Sequence, residues 1–311
     1  MCAVRPLLDT AREKMHYTIM SVPEYLAPTT LKRALHLKKE RGVDARVIAG
    51  GTDLILKMRD KVFSPTMLID LRRISLDTIS VTDDGMRLGA YVTQSQLLAS
   101  ADVIKMYPAL CDACREFAGP PIRNRGTLGG NIVNASPGAD LLPPLMAYDA
   151  SLVLASSGTD RELSLTEFFT GPGQTIMTPD EILTEIRMPL LPSRTASSFI
   201  KLGQRRSMAI ALVSVATRLT LDAQGIVSDA RIVLGAVAPT PIRAEGAETV
   251  LTGSRLSDKL IEQAARQAQD AAKPISDVRA HEPYRKDMTE VLVRRALVAA
   301  RDELQEQTSS G

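Results

Sequence analysis

Apolar positions in this chain follow two rhythms, one helical and one alternating, and the switch between them sets out the elements. From Pro28 onward, Leu31, Ala34, Leu35 and Leu37 share one helical face, with Thr29 or Thr30 placed to cap its start and Gly42 to end it. Ala45 to Ala49 then reads as a short strand, Leu54 to Met58 as a second helical start, and Thr66 to Leu71 as another strand. Thr78 to Val92 predicts a hairpin turning at Asp83-Asp84-Gly85. A helix is expected from about Pro108 to Phe117, followed by a long loop from Ala118 to Pro137. Ser151 to Ser156 and Arg161 to Leu165 read as paired strands around Gly158. The charged, Pro- and Gly-rich stretch Gly171 to Arg194 predicts a domain boundary near residues 190–196.

The last third differs in character. Ala209 to Leu221 and Ile226 to Gly235 are β-rich runs joined by Asp222-Ala223-Gln224-Gly225, a hairpin pattern. Pro241 to Leu251, Ser257 to Ala272 and Pro283 to Leu304 carry helical periodicity instead. Strands followed by helices, without strict alternation, point to an α+β protein.

Composition narrows the function classes. The 311 residues, 44% hydrophobic, are enough for two compact domains. A net charge of +2 gives no reason to expect nucleic acid or an anionic membrane. With no Trp, five Phe and six Tyr, stacking platforms for single strands would be hard to build. No run approaches the roughly 18 apolar residues of a membrane span, and Met1 to Thr18 lacks the apolar core of a secretory signal. The expectation is a soluble cytoplasmic protein.

Cys111 and Cys114 form a C-x-x-C, but a tetrahedral zinc or an iron–sulfur cluster needs four ligands. Only Cys2, His16, His36 and His281 remain to complete one, and they are not paired locally. Residues 109, 110, 113, 114 and 117 share a helical face, so Cys114 reads as core and no metal is expected.

The chemistry lies in two glycine loops, Ala49-Gly50-Gly51-Thr52 and Thr127-Leu128-Gly129-Gly130-Asn131. Neither belongs to a P-loop or to a G-x-G-x-x-G fingerprint. A glycine backbone lets a phosphate approach closely, successive N–H groups form an anion nest, and the hydroxyls of Thr52 and Thr127 can add hydrogen bonds. An isolated Gly-Gly pair is more often only a turn, whereas two such loops can grip a dinucleotide diphosphate from both sides. Asp53 would repel phosphate, so its side chain is expected to turn away and cap the helix at Leu54. Arg123 and Arg125, upstream of the second loop, read equally well as a solvated basic patch.

Val47-Ile48-Ala49-Gly50-Gly51-Thr52-Asp53-Leu54 resembles the first FAD loop of the molybdenum hydroxylase flavoproteins. The run from Phe117 through Gly126-Thr127-Leu128-Gly129-Gly130-Asn131 to Asn134-Ala135-Ser136-Pro137-Gly138-Ala139-Asp140 resembles their second. These flavoproteins are the medium, FAD-binding subunits of the carbon monoxide dehydrogenase and xanthine dehydrogenase type. The likeness extends from about Tyr25 to Leu304, through Pro179 to Leu183, Phe199-Ile200-Lys201 and Tyr284-Arg285. It implies FAD contacts at Val47 to Leu54, Phe117, Thr127 to Asn131, Asp140, Leu183 and Lys201. A carboxylate at Asp140 suits sugar hydroxyls, Leu183 an apolar ring, and Lys201 the negative charge of a reduced flavin.

The resemblance further implies a two-subdomain FAD-binding domain of the vanillyl-alcohol oxidase kind over residues 21–194, divided near 75. A C-terminal domain over 195–304, with an antiparallel sheet and helices, would follow, and residues 1–20 and 305–311 would be an extension and a flexible tail. Met15 and Met20 are alternative starts to Met1. Molybdopterin and two [2Fe-2S] clusters would sit on a large and a small partner subunit, in a dimer of heterotrimers. Electrons would leave through this chain to NAD+ or a quinone. The cysteine-rich insert of the 4-hydroxybenzoyl-CoA reductase type is missing, and Ala209 stands where many relatives carry an acid. No catalytic side chain of the chain's own is evident, which fits a cofactor carrier. A stand-alone FAD-dependent oxidoreductase of the same fold and a cofactor-free scaffold are the alternatives.

Overall fold

The computed structural model describes residues 22–205 and 207–309. The alternative starts, Cys2 and His16 lie outside the described residues. Within them, three larger sheets follow one another along the chain, each built differently, beside one two-stranded hairpin.

The first is a parallel sheet of three strands, β1 (Glu24–Leu26), β2 (Ala45–Ile48) and β3 (Met67–Asp70), in the order β1-β3-β2. Helix α1 (Leu31–Arg41) begins at Thr30, whose side chain accepts from the Arg33 amide, and ends at Gly42, where φ is +53°. Its Ala34, Leu35 and Leu37 pack on Ala45, Met67 and Ile69. On the other face, α2 (Leu54–Arg59) sets Met58 and Leu54 over Ile48 and Leu68. Asp53 precedes α2 without capping it; its carboxylate instead accepts from the Asn134 side chain (3.3 Å). With αR backbone angles at Asp53 (φ −101°, ψ −45°), its side chain cannot turn back to the helical amides as an extended N-cap residue does.

The second sheet is antiparallel. It begins with the hairpin β4 (Ile79–Thr82) and β5 (Gly85–Gly89) and continues through the short helices α3 (Gln94–Ala99), α4 (Ala101–Met106) and α5 (Pro108–Glu116). The expected loop from 118 to 137 contains two helices, α6 (Pro120–Arg123) and α7 (Leu128–Val133), before α8 (Leu142–Ala147). Both begin where local chemistry allows: two prolines open α6, and the Thr127 side chain caps α7. Strands β6 (Ser151–Ala155) and β7 (Asp160–Ser164) follow, then the small hairpin β8 (Phe169–Gly171) and β9 (Gln174–Thr175). The region expected to be a boundary also holds β10 (Ile182–Pro189), the central strand of the sheet β4-β5-β10-β6-β7. Its two faces are covered differently: Leu183, Ile186 and Met188 join the large second core, while Ile182 joins the first. β10 therefore fastens the two subdomains together.

The third sheet is the antiparallel meander β11 (Thr195–Leu202), β12 (Val213–Leu221), β13 (Val227–Gly235) and β14 (Ile242–Arg243). The strand expected from Ala209 starts only at Val213, because Gly203 to Leu212 forms the connection out of β11. The helical pattern from Pro241 opens with β14 before α9 (Glu245–Leu251) takes over. Helices α9, α10 (Asp258–Ala271) and α11 (Glu282–Ser309) cover one face of the sheet. α11 passes residue 304, so residues 305–309 of the expected tail are helical. On the opposite face, Phe199, Ala216 and Val233 enter the second core, so β12 is buried on both sides.

Polar contacts fix this last junction. The register pairs Arg218 with Arg231 across β12 and β13, which alone would repel. Asp149, at the turn before β6, accepts from both guanidinium groups at 2.9 Å, and Asp229 bridges the same two. Buried Arg285 donates to the carbonyls of Leu212 (3.0 Å) and Ala236 (3.2 Å), tying α11 to the strand ends. Tyr148 bonds the Ala109 amide (3.0 Å) and the Ser197 hydroxyl (2.5 Å), joining α8, α5 and β11. Tyr148→Phe leaves both buried partners unpaired and is expected to cost about 1–3 kcal/mol, read from the urea midpoint at unchanged slope.

Candidate functional site

A cleft of about 400 Å³ runs between the first two subdomains. One wall is the open edge of β2 with the loop that follows it, and the other is α7, the β8–β9 hairpin and the start of β10. Val47, Ala49, Gly50, Gly51, Thr52, Asp53 and Leu54 line the first wall. Phe117, Thr127, Gly129, Gly130, Asn131 and Leu183 line the second.

Four other residues singled out from the sequence lie elsewhere. The side chains of Ile48 and Leu128 are buried in the cores, so only their backbones can serve the cleft. Asp140 and Lys201 are not in the lining; they form a buried ion pair of 2.6 Å, with Lys201 also donating to the Glu116 carbonyl (3.1 Å). The second carboxylate oxygen of Asp140 is buried without a partner. Burial pushes Asp140 up to about 6, with the Lys201 ammonium opposing.

The two glycine loops prove unequal. In the first, Gly51 takes φ +76°, and the N–H groups of Gly50, Gly51, Thr52 and Asp53 donate to no acceptor among the described residues. In the second, the amides are already used. Leu128 donates to the Val92 carbonyl (2.7 Å), Gly129 to Ala90 (2.9 Å) and Gly130 to the Thr127 hydroxyl (3.0 Å). The expectation of an amide nest on both sides is thus corrected, because the second loop folds as the first turn of α7 and spends its N–H groups on capping and on the chain at 90–92. What it offers the cleft is the Thr127 O–H, which accepts internally but is free to donate, and the Asn131 side chain, whose buried oxygen is unpartnered.

The glycines differ in role as well. A Cβ on Gly50 would lie 1.9 Å from the Arg125 carbonyl oxygen, and one on Gly129 would lie 2.7 Å from that of Ala90. These two allow backbone to meet backbone. Exposed Gly130 would meet only the Thr127 hydroxyl, at 2.9 Å. Arg123, read as equally consistent with a solvated patch, donates to the Phe117 (2.9 Å) and Arg115 (3.2 Å) carbonyls and so secures the end of α5.

Sequence reasoning missed the far walls. Lys38 is buried, donates to the carbonyls of Ala45 (2.9 Å) and Gly42 (3.2 Å), and is lowered by burial to about 8. Arg46 stacks on Phe63 at 4.1 Å, and Lys57 reaches the Asn134 side chain at 2.5 Å. Gln94 is wholly buried, with neither end of its carboxamide partnered. No spacing rule marks these residues, since the folding of separate segments brings them together. Cys111 and Cys114 are buried in α5, and burial pushes both thiols up, Cys111 to about 11.

A cleft with unpaired amides at a glycine turn, bordered by Phe117 and Leu183, fits the class of dinucleotide-binding proteins. Residues 17–191 match the FAD binding domain in molybdopterin dehydrogenase and residues 198–300 the CO dehydrogenase flavoprotein C-terminal domain, so the chain belongs to the FAD-binding subunits of molybdopterin-dependent oxidoreductases. It is 33% identical over 279 residues to the carbon monoxide dehydrogenase medium chain of Hydrogenophaga pseudoflava, covering 89% of this chain and 96% of that one. It is 32% identical over 288 residues to the xanthine dehydrogenase FAD-binding subunit of Escherichia coli O157:H7, covering 90% and 98%. A solved structure of carbon monoxide dehydrogenase from Hydrogenophaga pseudoflava superposes with a TM-score of 0.87 at 33% identity, over 90% of this chain and 97% of that one. The residues fit FAD: free amides for a diphosphate, unpartnered carboxamides for hydroxyls, and apolar walls for rings.

Gly50→Ala is expected to cost about 1–3 kcal/mol or more through the forced backbone clash. Gly158→Ala, with nothing within 4 Å of the added Cβ, should stay within about 0.5 kcal/mol, both read by urea unfolding. Asp140 supplies a pH test. Native Asp140 keeps its proton to about pH 6, whereas an unfolded aspartate releases it near pH ~4. In that window the native chain holds more protons, so this group's contribution to stability falls as pH rises from about 4 to about 6. Asp140→Asn should remove this falling component, making the slope of stability against pH more positive across the window; an unchanged slope would rule the assignment out.

Proposed function

We propose that the chain holds FAD along this cleft with its diphosphate on the amides of Gly50 to Asp53, and that it serves as the electron outlet of a molybdenum hydroxylase complex. The observation that carries the reading is the run of unpaired N–H groups at a left-handed glycine, facing a wall with hydroxyl and carboxamide groups. Thr127 and Asn131 would hold the cofactor from the opposite side, and Gly130 would leave room for it. Phe117 and the core residue Leu183 border the cleft with apolar side chains. Asp140 and Lys201, paired and buried next to α5, would set the charge around the ring end. Bound there, FAD supplies the capacity to take electrons singly and release them in pairs.

In the complex, a small subunit with [2Fe-2S] clusters delivers electrons, a large molybdopterin subunit oxidises the substrate, and NAD+ or a quinone accepts. We take the assembly to be a cytoplasmic dimer of heterotrimers; among the described residues no helix is long and apolar enough to cross a membrane. A stand-alone oxidoreductase would need, in addition, a proton acceptor placed over the flavin. No histidine lines the cleft. Glu181, which burial alone would raise, is held below the usual range by two Arg161 hydrogen bonds of 2.6 and 3.0 Å. A carboxylate so engaged is a poor base. The relatives named above belong to a carbon monoxide dehydrogenase and a xanthine dehydrogenase, so the likeness of the flavin subunit does not name a substrate.

Gly130→Val separates this reading from a cofactor-free scaffold, since Gly130 is an exposed residue of the cleft lining and the added Cβ meets only the Thr127 hydroxyl. The variant is expected to fold, to join its partner subunits and to lose flavin absorbance, with electron delivery to NAD+ or a quinone analogue lost as well. Delivery that persists without flavin would establish the scaffold instead.

A further inference from the structure

Gln94 is the first residue of α3, and its side chain takes no part in the cap there. Thr93 and Gln96 form the capping box between them. Gln94 borders the cleft, and its Oε1 is buried against Gly126, where an added Cβ would come within 3.0 Å of it. Gly126 is also where the Gly50 backbone meets the second loop. The side chain is 0% exposed, yet neither Oε1 nor Nε2 has a partner. Such a group destabilises the fold unless something outside the fold pairs with it, and an apolar side chain of similar volume would fill the space without that cost. On the facing helix, the buried Oδ1 of Asn131 is in the same condition.

We propose that Gln94 is a cofactor-positioning residue outside the glycine motifs, whose carboxamide takes a sugar-chain hydroxyl of FAD beside the diphosphate. A phosphate oxygen only accepts hydrogen bonds and would leave Oε1 unpaired. A hydroxyl both donates and accepts, so it satisfies the two ends together or one end here and one at Asn131. The ribityl chain and the adenosine ribose share this chemistry. The inference rests on FAD occupying the cleft as proposed above.

The test compares the full-length chain and its Gln94→Met variant, both stripped of flavin and shown by circular dichroism to be fully folded under the titration conditions. Affinities for FAD, FMN and ADP are measured by flavin fluorescence and calorimetry, and the stability of the stripped chains by urea unfolding. Gln94→Met is expected to leave the stripped chain as stable or more stable and to weaken FAD about 10-fold or more. Weakened FMN with unchanged ADP assigns the contact to the ribityl chain, and the converse assigns it to the ribose. Unchanged FAD affinity overturns the proposal, whether stability falls (an internal structural role) or stays level (a buried water as partner). If the unsubstituted chain takes up no FAD, the reading of the cleft fails together with the inference. Failure of the variant comparison alone leaves that reading standing.

Discussion

The contact between Gly50 and the backbone of Arg125 and Gly126 governs the rest of the molecule. There is no room for even a methyl group between them. Because the chain after β2 can press on the turn before α7, two subdomains with separate cores close on a cleft lined by four residues whose amides have no acceptor among the described residues. Attraction does not hold them there. Packing elsewhere does, chiefly β10, which contributes Ile182 to one core and Leu183 to the other. The glycine removes the steric obstacle, and the strand supplies the energy.

This division of labour explains why the two glycine loops, so alike as sequence, differ in use. A helix needs its first amides satisfied. The second loop meets that need internally, through Thr127 and the carbonyls of Ala90 and Val92, and thereby becomes a rigid wall. The first loop turns at Gly51 into a helix that Asp53 leaves without a side-chain cap, and no neighbouring carbonyl among the described residues takes its amides, so they stay free. Rigidity on one side and unmet hydrogen-bonding capacity on the other suit a cofactor carrier, in which the protein contributes position and electrostatics. The Asp140–Lys201 pair extends the same logic, since a buried carboxylate kept ionised by one ammonium responds strongly to any charge placed near it.

Much of the fold was legible from local patterns. Thr30 and Gly42 bound α1, and the hairpins at 83–85 and 222–225 form where turn chemistry places them. Errors clustered where tertiary packing overrides composition. β10 sits in a stretch rich in charge and proline, because Glu185 and Arg187 pair with each other at the sheet's outer face while alternate residues enter the core. Helix α7 contains a Gly-Gly pair that reads as loop, yet a side-chain cap and two bonds to a neighbouring segment outweigh the poor helix propensity of glycine.

By itself the sequence determined the family, the cofactor and the two loops that line the cleft, because a glycine run with its flanking residues is a local backbone requirement and leaves a contiguous signature. Only the tertiary structure decided which loop keeps its amides free, that Asp140 faces Lys201 across 61 residues, and that Lys38, Phe63 and Gln94 share one cleft. The physical reason is that hydrogen-bond satisfaction and burial belong to neighbours in space. Gln94 shows this most clearly: nothing along the chain distinguishes it from Gln96, two residues on, whose side chain is spent in the cap.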